Sequence, residues 1–141
     1  MASRRSYLDA NIILRYLTDE PRELADRAAR ILEALEDQGI RPVVAALTLG
    51  EVVFVLESVY GWKRHRVAAE LLAIVSASVI EFLEQKTITQ ALRWYREFGT
   101  VHFADAYIAA AASERKSPVI SFDRGLRRLP NVKVIDAPEH L

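Results

Sequence analysis

The sequence predicts an α/β sandwich built on a mostly parallel sheet. Short apolar runs bounded by turn residues alternate with longer segments of helical periodicity. Pairs of helical segments separate some of these runs, as crossovers between parallel strands require. No Gly/Ser linker, repeat or low-complexity stretch divides the 141 residues, a length that suits one compact domain over 1–141.

The first strand is expected at 6–8, where Tyr7-Leu8 forms an apolar run ending at Asp9. Residues 11–17 read as a short helix and 21–37 as a second. Asp19 can cap the second, Pro21 suits its first turn, and Gly39 lies just past its end. Its Leu24, Ala28, Ile31, Leu32 and Leu35 recur at helical spacing. A buried strand is expected at 42–45, then a helix at 48–60 stopped by Gly61. Residues 64–76 form another helix, with Val67, Leu71, Leu72 and Val75 on one side. A strand at 79–83 precedes a helix at 87–98 ended by Gly99. The alanine-rich helix at 104–115 has side chains small enough for close packing on a sheet. Strands at 118–122 and 132–135 complete the order. Crossovers should be right-handed, and the active crevice of such a sheet lies at the carboxyl ends of its strands.

Composition removes several classes of function. Hydrophobic residues make up 51% and charged residues 27%, so burial can offset ordering entropy and disorder is excluded. The longest charge-free stretch, 71–80, has ten residues, and a membrane-crossing helix needs about 20. The polar start, 1–6, gives no sign of a secretory leader. Cysteine is absent, which excludes disulfides, zinc–thiolate sites and a thiol nucleophile and fits a cytoplasmic location. Nineteen Lys+Arg balance 19 Asp+Glu, which counts against nucleic-acid binding by global electrostatics. Local cationic clusters remain: Lys63, Arg64, His65 and Arg66; Arg93 and Arg96; Arg124, Arg127 and Arg128. Each also reads as a solvated helix face. Trp94 and Tyr95, between Arg93 and Arg96, fit either base stacking or packing on the sheet.

Four acids interrupt apolar stretches. Asp9 and Asp123 directly follow proposed strands, Glu51 lies near a helix start, and Asp105 sits within Phe103-Ala104-Asp105-Ala106-Tyr107-Ile108. Each has a local explanation. Asp9 can cap the following helix, and Thr48 with Glu51 matches a capping box. Asp105 can favour a helix dipole, and Asp123 can form an Asx turn. Glu57, Glu81 and Asp136 also sit among apolar residues, so hydropathy alone does not select the four. Placement does: if the first and fourth strands are neighbours, Asp9 and Asp123 face each other across the crevice. Asp105 resists this account, because its helix precedes a strand and should run the other way. Two carboxylates about 5 Å apart repel by about 3 kcal/mol at an effective dielectric of about 20. Several together protonate or hold a cation, and all-oxygen donors select Mg²⁺ or Mn²⁺. Such a site suits phosphoryl chemistry. Asn11 and Ser121, two residues from Asp9 and Asp123, are candidate supporting polar groups or turn contacts.

These residues resemble a PIN domain, and more narrowly the VapC-like ribonuclease toxin of a VapBC-type toxin–antitoxin pair. Leu8-Asp9-Ala10-Asn11-Ile12-Ile13-Leu14 resembles the first family motif, and Leu47-Thr48-Leu49-Gly50-Glu51-Val52-Val53 the second. Phe103-Ala104-Asp105-Ala106-Tyr107-Ile108 resembles the third, and Ser121-Phe122-Asp123-Arg124 the fourth, where Thr in place of Ser121 is commoner. Leu129-Pro130-Asn131-Val132 resembles the closing stretch. The resemblance implies a five-stranded parallel sheet ordered 3-2-1-4-5. It also implies an Mg²⁺- or Mn²⁺-dependent endoribonuclease, a homodimer, and an antitoxin that blocks the site. Asp9, Glu51 and Asp105 carry over as metal ligands or their close support, with Asp123 completing the acidic set.

Other classes fit less well. A receiver-like signalling domain needs an acceptor Asp after its third strand and a Lys after its fifth. Here Glu81 lies within the third and Lys133 inside the last. A metal-free ribonuclease would rely on His65 and His102. A catalytically silent PIN-like module that binds nucleic acid or an antitoxin keeps the fold without the chemistry. The arginines and lysines should draw the phosphate backbone toward the acids. With zero net charge, selectivity should come from RNA shape or a few unpaired bases. RNA affinity should therefore fall only shallowly with salt in a filter-binding titration; a steep fall for specific and random RNA alike would contradict this.

Overall fold

The structure is a computed structural model that describes residues 4–141; residues 1–3, the first half of the polar start, lie outside the described residues. The chain divides into two compact units, 1–85 and 86–141.

The first unit carries three parallel strands: β1 (Arg5–Tyr7), β2 (Arg41–Val44) and β3 (Glu81–Phe82), in the order β1-β2-β3. Ser6 lies opposite Pro42, and Val43 pairs with both Tyr7 and Glu81. Hydrogen bonds from Leu8 N–H to the Val43 carbonyl (2.9 Å) and from Leu83 N–H to the Val44 carbonyl (3.0 Å) extend both ladders one residue further. The register sets Arg5 beside Arg41. Glu81, across β2, relieves this like-charge pair: its carboxylate lies 3.1 Å from Arg5 and 3.6 Å from Arg41. That contact accounts for an acid in an apolar run.

Helix pairs provide the crossovers. Helices α1 (Ala10–Thr18) and α2 (Arg22–Asp37) join β1 to β2, and α3 (Ala46–Ser58) and α4 (Arg64–Ser76) join β2 to β3. Asp19 does not cap α2. It closes α1 in a left-handed conformation (φ 57°) and pairs instead with Arg22 at 2.6 Å. Pro21, expected in the first turn, stands just before it. The apolar stripe of α2 is only partly covered: Ala28 is buried while Leu24 and Ile31 are exposed. Val43, Val44, Leu49, Leu56, Val67 and Leu71 form a fully buried core.

The second unit holds α5 (Gln85–Glu97), α6 (Phe103–Glu114), β4 (Val119–Ile120) and β5 (Val134–Ile135). The two strands pair in parallel, Val119 with Val134 and Ile120 with Ile135. A 3₁₀ turn (Arg124–Arg128) anchored by buried Leu126 lies between them. Tyr95 meets Phe103 edge to face at 6.3 Å between centroids, and Thr87 donates to Glu114 at 2.8 Å. Trp94 and Tyr95 are both buried, so this pair belongs to the core and not to a base-stacking surface. Asp136, another acid among apolar residues, pairs with Arg127 at 2.6 Å.

Among the described residues the expected single five-stranded sheet ordered 3-2-1-4-5 is not formed, and the ladders make two sheets, of three strands and of two. The strands of the second unit are two residues each, so β4 offers few backbone groups for a further ladder beyond the one it forms with β5. The ladder between the first and fourth strands, on which the expected facing of Asp9 and Asp123 is conditional, is not among those formed by the described residues.

Helix α3 separates core from surface within one turn. Leu56→Ala should destabilise the protein by about 2–5 kcal/mol in urea unfolding, whereas Phe54→Ala should stay within about 0.5 kcal/mol. Leu56 is fully buried and Phe54 is 67% exposed. Equal losses would show that both side chains are covered in solution.

Candidate active site

Asp9 is the second residue after β1 and immediately precedes α1, in extended conformation. Its side chain makes no capping hydrogen bond, so helix capping does not account for it. Asn11 lies exposed in the first turn of α1.

Glu51 lies in the second turn of α3. The expected capping box of Thr48 and Glu51 is not formed. The helix begins at Ala46, because Leu49 N–H already bonds to the Ala45 carbonyl at 3.1 Å. Thr48 is therefore the third helical residue and not a cap. Glu51 shares the exposed face of α3 with Leu47 (88% exposed) and Phe54, at helical spacing.

Asp105 and Asp123 belong to the second unit and are brought together there. Asp105 is the third residue of α6, where a carboxylate is favoured by the helix dipole. The expectation that its helix should run the wrong way is corrected by the packing. Helix α6 lies against β4 and the 3₁₀ turn, and its far end bonds into the link to β4, Ser117 N–H to the Ala112 carbonyl at 2.9 Å. Helix α6 thus runs antiparallel to β4, and its first turn sits where β4 ends.

Asp123 follows β4 and forms the Asx turn that its sequence allows. Its Oδ1 accepts from Gly125 N–H at 2.8 Å, and its own N–H donates to Ser121 Oγ at 2.9 Å. Ser121 is thereby a turn-forming residue. A carboxylate offers about four lone-pair positions, so one bond to Gly125 leaves acceptor capacity on Asp123.

Asp9, Glu51 and Asp123 are exposed, and only Asp105 is half-buried. The desolvation cost expected of all four acids falls on this one. Burial raises the Asp105 carboxyl above the ordinary aspartate range, and the negative charge of Asp123 raises it further. His102 opposes the rise, and a hydrogen bond with Asp123 adds to it. Among the described residues neither acid forms an ion pair with Lys or Arg. Burial and the neighbouring Asp123 thus disfavour the ionised form of Asp105, a cost that a bound cation would relieve.

The pair's donors are carboxylate oxygens, the chemistry of a hard divalent ion. Neither unit by itself, among the described residues, groups three or more acids or histidines able to hold a metal. Two carboxylates nevertheless fit Mg²⁺, which keeps several waters and takes one or two acids.

Two further residues bear on the pair: Gly125, and His102, which the sequence offers only as a partner of His65 in a metal-free reading. His102 favours the ionised form of Asp105; its signal is a histidine three residues before an acid at a helix start. Gly125 is a close-approach residue. A Cβ there would stand 3.1 Å from Asp123 Oδ1 and 3.5 Å from Thr100 Oγ1. Its signal is the Asp-x-Gly spacing.

A family model described as PIN domain matches residues 6–132. No curated protein and no solved structure gave a match. No helix among the described residues is long and apolar enough to cross a membrane.

The raised carboxyl ties stability to pH. Folded Asp105 keeps its proton to higher pH than unfolded Asp105 does. Its stabilising contribution is complete below the ordinary aspartate value and is lost as pH rises through the folded value. Asp105→Asn removes that loss. The urea midpoint of the variant should gain on wild type as pH rises from about 4 to 7; a difference that shrinks over this range would contradict the like-charge pair.

Proposed function

The chain belongs to the PIN domain family, whose members are typically nucleases, and from that premise we propose a metal-dependent endoribonuclease that cleaves RNA phosphodiester bonds. The observation that carries this is the Asp105–Asp123 pair: two carboxylates in contact, one of them destabilised in its ionised form. Structural acids are ordinarily matched with cations, and perturbed acids concentrate at functional sites. This pair has no cationic side chain bound to it among the described residues.

In the proposed mechanism Asp9, Glu51, Asp105 and Asp123 hold or directly support Mg²⁺ or Mn²⁺. When bound, such an ion supplies a water of lowered pKa and offsets negative charge at the phosphorus. The protein side of the chemistry is orientation. The Asx turn presents Asp123 in a fixed posture, and the first turn of α6 presents Asp105. His102 lowers the cost of negative charge on Asp105. Asn11 is a supporting polar group beside Asp9, as Ser121 is beside Asp123.

The narrower reading is the toxin of a VapBC-type pair, acting in the cytoplasm over one functional domain, 1–141. An antitoxin and a homodimer go with it. Support comes from the order and spacing of the four motifs along nearly the whole chain. The helix pair around Val52–Leu72, a candidate dimer surface, is partly accounted for by the core, since Val52, Leu56, Val67 and Leu71 are buried.

The test is cleavage of a total-RNA extract by purified, antitoxin-free protein in Mg²⁺, in Mn²⁺ and in EDTA. Wild type should give discrete fragments that require the metal, and Asp9→Asn and Asp105→Asn should each lose about 100-fold or more in rate. Cleavage that survives EDTA would sink the metal mechanism and turn attention to His65 and His102. No cleavage by well-folded protein would favour the silent binding module.

A further inference from the structure

We infer that Phe122 is a substrate-positioning residue whose ring stacks on an unpaired base beside the phosphate served by Asp105 and Asp123. This deepens the nuclease reading and rests on it.

Phe122 is 91% exposed, more than any other large apolar side chain among the described residues. Folding gives this ring almost no burial, although the second unit buries Trp94, Tyr95 and Phe103. An exposed ring on a mobile loop would mean little, but this one is held on both sides. Ser121 N–H donates to the Ile135 carbonyl at 3.1 Å, which ties the residue before the ring to β5. The residue after it, Asp123, is tied back to Ser121 Oγ and forward to Gly125 N–H. The backbone therefore presents the ring in a preset position, and binding does not have to order it. Ile120, 74% exposed, lies two residues away on the same strand exit.

Charge distinguishes the occupant. Arg127 is neutralised by Asp136 at 2.6 Å. Arg124 and Arg128 are exposed and form no ion pair among the described residues. An aromatic face followed within six residues by two unpaired guanidinium groups matches a base with its neighbouring phosphates. A base inside a duplex offers no free face, so the contact selects unpaired nucleotides.

The experiment uses the full chain and a labelled copy of the RNA region that wild type cuts in a total extract. Steady-state cleavage is measured for wild type, Phe122→Ala and Phe122→Trp, with circular dichroism and light-scattering mass for each. Phe122→Ala should raise KM by about 5- to 150-fold with kcat within about 3-fold, and Phe122→Trp should return KM close to wild type. Fold and mass should not change. An unchanged KM in Phe122→Ala, or a loss confined to kcat, would overturn the stacking contact while leaving the nuclease intact. A fall in mass would assign the ring to an interface between copies and also overturn it. Wild type that cuts no RNA at all would remove the nuclease reading, and this inference with it.

Discussion

Every β ladder among the described residues is parallel, and a parallel pair cannot be closed by a hairpin. The chain must leave each strand at its carboxyl end and return by a crossover. In the first unit this forces a helix to start soon after β1 and after β2, which puts Asp9 at one start and Glu51 in the second turn of the other. In the second unit it places a turn after β4, and Asp123 opens that turn. The same geometry aligns α6 against β4, so that Asp105 in the helix's first turn meets Asp123 beyond the strand's end. Acids placed by this rule stand outside the ladders, and three of the four remain in solvent.

The second unit sets a well-packed core beside a pair of like-charged acids. Its core is well matched, with Tyr95 against Phe103 and alanines Ala106, Ala109 and Ala110 buried along α6. Yet α6 brings an acid into partial burial beside another acid. Glu81 offers a comparison from the first unit, where one acid sits by two arginines and its charge is matched. Both are carboxylates in short apolar segments. Glu81 is ion-paired with two arginines, whereas Asp105 forms no ion pair with Lys or Arg among the described residues and has only His102 to offset Asp123.

Much of the element order was legible because helical periodicity and glycine stops act locally. Helix α4 begins and ends where the pattern places it, and Gly39 and Gly61 adopt the positive φ of their stops. The misses share one cause: signals that hold in isolation were overruled by neighbouring backbone. Thr48 has capping chemistry, but Ala45 is already extended and the helix begins ahead of it. Asp19 has capping chemistry too, but Pro21 follows and Arg22 takes its carboxylate. Strands were overread because an apolar run does not reveal how many of its residues find a ladder partner. Five strands were visible; their division into three and two was not. The acids were legible as types and places, whereas contact between Asp105 and Asp123 depends on packing over 18 residues of separation, which no local pattern encodes.

The turn after β4 has a consequence for how this chain tolerates change. Asp123 takes its posture from Ser121 and Gly125, each two residues away. Asp105 takes its position from the seating of a whole helix. Drift in the core that shifts α6 by a fraction of an ångström is felt by Asp105 and leaves the turn untouched. The two acids thus differ in heritability: one posture travels with a five-residue phrase that any lineage can keep intact, while the other must be re-established each time the interior is repacked.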